Sequence, residues 1–213
     1  MKKILITIGR QYGSGGRAIG ERAIGERLGE LLQIPCYDRE LIQMSSEKSG
    51  IEEGILALHD ERTSSASMFK VKGQTGNHGT PIVDTLFLAQ SQVIQELAEK
   101  GSCIFIGRCA DYVLQDDEAL FSVFISAPEK NRIARIMERN HMSADDAEMA
   151  VRKVDKQRRT YYDFYTDKSW GEAGSYMLAV DSSLFGIQGT AELLKEVICA
   201  YQKEEAALDG KNS

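Results

Sequence analysis

The sequence predicts an α/β fold in which helices wrap a parallel sheet, and three observations carry that prediction. Five short apolar runs, Ile4–Ile8, Ile34–Tyr37, Cys103–Ile106, Phe121–Ile125 and Met177–Val180, alternate with longer segments of helical spacing. Each run gives way at once to glycine or polar residues: Gly9-Arg10, Asp38-Arg39, Gly107-Arg108, Ser126-Ala127-Pro128 and Asp181-Ser182-Ser183. Ligands of such sheets bind at the carboxyl ends of the strands, and the first three of these ends are expected to converge on one crevice.

The third observation is the glycine-rich stretch Gly13-Ser14-Gly15-Gly16-Arg17 directly after the first run. Glycines let a backbone turn its N–H groups inward on an anion, and a helix that follows points its positive dipole end at the same place. The ligand this anticipates is a nucleotide phosphate. The usual pattern G-x-x-x-x-G-K-[ST] is not met: with Gly15 as the closing glycine, Gly16 stands at the lysine position and Arg17 at the hydroxyl position.

The segment after the loop contains a tandem echo, Arg17-Ala18-Ile19-Gly20-Glu21 followed by Arg22-Ala23-Ile24-Gly25-Glu26. Five residues rotate a helix by about 140° beyond a full turn, so the two copies do not show one face to the sheet. Periodicity weakens from Glu52 to Thr80, and Lys72–Pro81 reads as a breaker-rich loop suited to a substrate-side flap. Helical spacing returns over Asp84–Lys100, with Leu86, Val93, Ile94 and Leu97 as its core stripe. Two further helices are predicted over Pro128–His141 and from Ser143 to about Tyr162, the second opened by a serine N-cap.

At 213 residues the chain suits one α/β domain with a full core. A 42% hydrophobic and 27% charged composition is that of a soluble globular protein, and no apolar run approaches the length of a membrane span. Lys2 and Lys3 precede a segment only one strand long that ends in glycine and arginine, so no export signal is read there. Cys36, Cys103, Cys109 and Cys199 form no C-x-x-C pair and read as buried free thiols in a reducing compartment, the cytoplasm. A net charge of −6 argues against a nucleic-acid polymer as partner. Arginine is therefore expected to be concentrated locally if it serves phosphates.

Two arginine clusters answer that expectation. Arg132, Arg135 and Arg139 are spaced by three and four and share a helical face; Arg152, Lys153, Lys156, Arg158 and Arg159 follow on the next helix, with Asp155 among them. Phosphoryl transfer needs cations around the equatorial oxygens as charge redistributes, and the guanidinium fork suits that task. Tyr161, Tyr162, Phe164, Tyr165 and Trp170 read as packing for the second helix rather than as base-stacking groups. His59-Asp60-Glu61 offers adjacent side chains that diverge on a helix, so no metal site is assigned to it.

Taken in order, Ile8–Arg17, Ile34–Ile42, Ile106–Leu114, Tyr161-Tyr162 and Val180–Ser183 resemble the cytidylate kinase-like family over nearly the whole chain. That resemblance implies a three-layer P-loop NTPase fold with a central five-stranded parallel sheet, an acceptor-side nucleoside-monophosphate-binding insertion at about residues 39–82 and a helical lid at about 128–170. It implies transfer of the γ-phosphoryl of ATP, with Mg2+, to a nucleoside monophosphate, CMP or dCMP. Gly13, Ser14, Gly15, Gly16 and Arg17, with Arg10, would hold the donor phosphates. Asp38, Arg39, Arg108 and Arg158 would hold the acceptor, and Arg17, Asp38, Arg132, Arg135 and Arg159 would act on the transferred group.

The chain departs from the family at informative places. Without the loop lysine the β- and γ-phosphates lose a point charge, which Arg10 or Arg17 would replace; without the Ser/Thr hydroxyl the metal loses a ligand that nothing obvious replaces. Asp38-Arg39-Glu40-Leu41 lacks the serine and second arginine that follow the aspartate in cytidylate kinases. The echo adds length to the first helix relative to the family pattern. Two alternatives stay open: a kinase of the same fold with a different small acceptor, and a nucleotide-binding regulator without transfer chemistry.

Overall fold

The computed structural model describes residues 2–16, 23–61 and 82–209. Arg17, the first copy of the echo and the breaker-rich loop of residues 72–81 lie outside these residues.

Five strands, β1 (Leu5–Arg10), β2 (Cys36–Tyr37), β3 (Cys103–Ile106), β4 (Leu120–Ser126) and β5 (Leu178–Asp181), form one sheet in the order β2-β3-β1-β4-β5. Every described pairing is parallel, with Leu5 opposite Cys103 on one side and Leu120 on the other. The α/β class with a five-stranded parallel sheet is thus as the sequence predicts. Each predicted run contains or overlaps its strand; β1 runs two residues further than its apolar pattern, to Arg10.

The described helices are α1 (Ile24–Leu32), α2 (Glu40–Ser49), α3 (Glu53–His59), α4 (Ile82–Lys100), α5 (Ala110–Val113), α6 (Glu129–Asn140), α7 (Ala144–Tyr165) and α8 (Gly186–Asp209). One face of the sheet, formed by Ile4, Ile6, Ile8, Ile104, Ile106, Val123 and Ile125, packs on α1 and α8 through Ile24, Leu28, Leu194 and Ile198. The other face packs Leu5 and Phe105 on α4 through Val93, Ile94 and Leu97. This is the three-layer arrangement, and burial of the strands on both faces is why they read as apolar runs.

α1 begins at Ile24, inside the second copy of the echo, with Glu26 accepting the Ala23 backbone N–H. The predicted serine cap of α7 is present: Ser143 Oγ accepts the Asp146 backbone N–H. α6 and α7 pair through Ile136, Ala147 and Val151. Beyond them Tyr161, Tyr162, Trp170 and Tyr176 pack with Phe124 and Cys109, so these aromatics serve as core. α3 is held lightly, since Leu56 is its buried residue, packed with Ile42 and Leu86. All four cysteines are free thiols, Cys103 and Cys109 buried, Cys36 and Cys199 partly so. Burial pushes the Cys36 and Cys103 thiols up to about 12, which makes them poor nucleophiles at neutral pH.

Candidate active site

The sheet order sets β2, β3 and β1 side by side, which brings Asp38, Arg108 and Arg10 together at their carboxyl ends. After β3 the chain turns through three consecutive left-handed residues, Gly107, Arg108 and Cys109. This bend folds the Arg108 side chain back beneath the strand ends, where it is 1% exposed. Its Nη1 donates to Asp38 Oδ1 at 3.0 Å and to the Ile106 carbonyl at 2.9 Å. Its Nε and Nη2 donate to the two Asp60 oxygens at 3.1 and 2.8 Å.

Arg10 is equally buried, and its fork lies on the Glu61 carboxylate, with Nη2 to Oε2 at 2.8 Å and Nη1 on Oε1. Glu61 also receives the Arg108 backbone N–H at 3.2 Å and lies 3.3 Å from Arg158 Nε. Arg158, from the inner face of α7, donates Nη1 to the Arg10 carbonyl at 3.1 Å. Three arginines and three carboxylates thus form one buried network. Burial would raise the Glu61 carboxyl, but Arg10, Arg158 and Arg108 overcome it and hold the group well below its ordinary value near 4.5.

That shift has a sign. A carboxylate with a depressed native pKa contributes stability above its unfolded value, and the contribution fades as pH falls through that value toward the native one. Asp111, which burial raises despite its 2.6 Å hydrogen bond from Tyr162, contributes in the opposite sense. We therefore expect urea midpoints of the wild type to fall more steeply between about pH 5 and pH 3 than those of Glu61→Gln, which lacks the titrating group. Parallel curves for the two proteins would contradict the shift.

The glycine loop lies beside this network. Gly13 and Gly15 have φ of +80° and +87°. A Cβ at Gly13 would stand 2.9 Å from the Arg132 carbonyl, so the turn requires glycine. Ser14 is buried; its Oγ donates to the Gln11 carbonyl, and its own carbonyl accepts from Ser182 Oγ at 2.5 Å. The arginines of α6 converge here. Arg132 donates to the Ala127 and Tyr12 carbonyls and pairs with Asp155 at 2.5 Å, while Asp155 accepts the Tyr12 N–H. Arg135 donates to the Gly13 carbonyl at 2.7 Å, and Arg139 donates to the Tyr12 hydroxyl.

The structure therefore brings Arg10, Asp38, Arg108 and Arg158 into one network and sets Arg132 and Arg135 against the loop formed by Gly13, Ser14, Gly15 and Gly16. Arg10, expected at the donor phosphates, turns its guanidinium to Glu61. Arg39 stands exposed on the wall of a cleft of about 450 Å³ that Tyr12, Asp60, Glu61, Gln157 and Arg158 also line. Arg159 does not join the network; it is exposed on α7 with its guanidinium 5.8 Å from the Trp170 ring centroid. One helical step of about 100° separates it from the inward-facing Arg158.

Asp60 and Glu61 are the partners that sequence reasoning passed over. They follow α3 rather than extend it, with Asp60 extended and Glu61 at φ +51°, so both turn into the crevice instead of diverging along a helix. Two adjacent acids at the end of a short apolar helix were the available signal.

Left-handed glycines at 13 and 15, with the Ser14 side chain turned back onto the Gln11 carbonyl, give Gly13–Gly16 a backbone turn of the kind a phosphate cradle requires. For Mg2+ the described residues offer no group of three or more His, Cys, Asp or Glu side chains able to hold an ion. This donor set would suit a cation that arrives on nucleotide phosphates and keeps most of its waters, with Asp38 the most exposed of the three network carboxylates.

Comparisons with known proteins agree with this frame. A crystal structure of an uncharacterized protein from Eubacterium ventriosum is 25% identical, with a TM-score of 0.65 over 93% of this chain and 98% of that one. A shikimate kinase from Bacteroides thetaiotaomicron is 14% identical, with a TM-score of 0.53 over 92% and 98%. A gluconokinase from Sinorhizobium meliloti is 16% identical, with a TM-score of 0.50 over 99% and 98%. These two share the fold. No match was found among curated proteins. The model of the cytidylate kinase-like family matches residues 5–184, from the first strand through the turn after the fifth, and the chain belongs to that family.

Proposed function

We propose that the chain catalyses ATP-dependent phosphoryl transfer to a nucleoside monophosphate, CMP or dCMP first among the candidates. One observation carries the reading: within a chain of this family, an aspartate and three arginines from separate strand ends and α7 meet beside a loop that turns through left-handed glycines at Gly13 and Gly15. Backbone N–H groups of Gly13–Gly16 and the side chain of Arg17 hold the donor phosphates in this reading. Arg132 and Arg135 fix the loop from the lid side, and Arg108, Arg158 and Arg39 orient the acceptor phosphate in the adjoining cleft. Mg2+, bound with the nucleotide, would supply charge neutralisation on the β- and γ-phosphates. Asp38 keeps Arg108 in place and faces the bound cation. Catalysis is then positioning and electrostatic stabilisation without a covalent intermediate. A cytoplasmic location belongs to the same reading, supported by four free thiols; no helix among the described residues is long and apolar enough to cross a membrane.

The test is ADP formation from MgATP with a panel of nucleoside monophosphates and small hydroxyl acceptors, beside binding of the same compounds by thermal shift. Turnover selective for CMP or dCMP is the expected result. Turnover on another acceptor keeps the phosphotransferase and changes its substrate. Gly16 and Arg17 at the lysine and hydroxyl positions favour one further reading, a nucleotide-binding regulator, and nucleotide binding without turnover on any acceptor would establish it.

A further inference from the structure

The three buried arginines are not offered to solvent, because the chain's own acids occupy them. Glu61 accepts from both ends of the Arg10 fork and from the Arg108 backbone N–H, and it pairs with Arg158 Nε; Asp60 takes Arg108 through two bonds. Planar forks and a backbone N–H converging on one carboxylate make an anion site, built from donors suited equally to a phosphate. We propose that Glu61, with Asp60 beside it, is an internal occupant of this anion site, and that the phosphate of the acceptor binds by displacing it. The inference rests on reading the adjoining cleft as the acceptor site.

Three features make the occupant exchangeable. The site is imperfectly filled: Arg10 Nε is buried without a hydrogen-bond partner among the described residues. A phosphate monoester brings three acceptor oxygens and close to two negative charges at neutral pH, against two oxygens and one charge for the carboxylate. Glu61 holds a left-handed backbone at φ +51°, a conformation costly for a residue with a side chain, and leaving the site releases it. Asp60 and Glu61 also line the 450 Å³ cleft, so they face the volume a ligand enters. The depressed Glu61 carboxyl agrees with a group that stays ionised in place at neutral pH.

The experiment compares the full-length wild type and Glu61→Gln by calorimetric titration with inorganic phosphate, CMP and a non-hydrolysable ATP analogue. The glutamine keeps the shape and loses the charge, so phosphate and CMP are expected to bind at least 10-fold more tightly to the variant, with the ATP analogue little changed. A gain for the ATP analogue alone would assign the site to the donor and overturn the proposal, as would unchanged or weaker phosphate binding by a folded variant. Hydrogen exchange on the wild type supplies a readout that no folding defect affects. Saturating phosphate should speed exchange at Leu58–Glu61 by severalfold; unchanged or slower exchange there means that Glu61 is a fixed strut, and the proposal fails. Neither measurement needs turnover, so tighter phosphate binding by a protein inactive on every acceptor would retain the displaced carboxylate while removing the kinase.

Discussion

Arg108→Ala is expected to lower stability by about 3–5 kcal/mol, the usual consequence of removing one partner from a buried ion pair. The side chain is 1% exposed and satisfies both oxygens of Asp60, one of Asp38 and the Ile106 carbonyl. Its removal takes the guanidinium away from two carboxylates beneath the strand ends, leaving Asp60 its bond from Gln90 at 3.2 Å, while Glu61 still leans on Arg10. Adding Asp60→Asn to the alanine variant should therefore recover part of the loss, since an uncompensated charge goes with it. Lysine is no substitute, because one ammonium cannot serve two carboxylates and a carbonyl with a fork's geometry. Urea unfolding of the two single variants and the double variant measures the coupling; additive losses would show that Arg108 and Asp60 act independently. Turnover should vanish in both Arg108 variants, alanine and lysine, if the acceptor is oriented as proposed.

Gly107→Ala should be of similar size, about 3–5 kcal/mol, from two sources that add. The residue has φ +72°, and a Cβ built there collides with Glu61 Oε1 and Arg10 Nη1, so a methyl group would have to part a buried pair. A control lies within the same chain. Gly54, in α3, has only the end of Glu52 near a built Cβ, at 3.7 Å, so Gly54→Ala should leave stability unchanged or raise it by about 0.5–1 kcal/mol. Equal effects of the two substitutions on the thermal midpoint would refute the steric account.

What the sequence revealed and what it hid divide along a physical line. Strands buried on both faces announce themselves as apolar runs, and the turns that end them carry the glycines, so β1, β3 and the convergence of Arg10, Asp38 and Arg108 were legible. The face shared by Arg132, Arg135 and Arg139 followed from helical spacing alone, and the structure turns all three toward Tyr12 and Gly13. Glu61 was not legible, because its partner Arg10 is 51 residues away and charge pairing leaves no periodic trace. A left-handed residue after α3 aims Glu61, and composition does not encode that backbone choice for a glutamate. Arg158 and Arg159 were indistinguishable as letters; only the seating of α7 on the aromatic core decides which one faces inward.

The hydrogen bonds from Arg132, Arg135 and Arg139, with Asp155 closing the ring on Tyr12, bind α6 and α7 to the glycine loop at several points. A swing of that helical pair away from the sheet would break charged bonds together with the Ile136–Val151 packing. On the opposite wall of the cleft, α3 is anchored by Leu56 alone among its buried residues and ends in two carboxylates. If a ligand phosphate displaces Asp60 and Glu61 as proposed, the charged bonds that tie the end of α3 to the strand ends are released while those of the loop side persist, so the α3 side is the wall expected to yield.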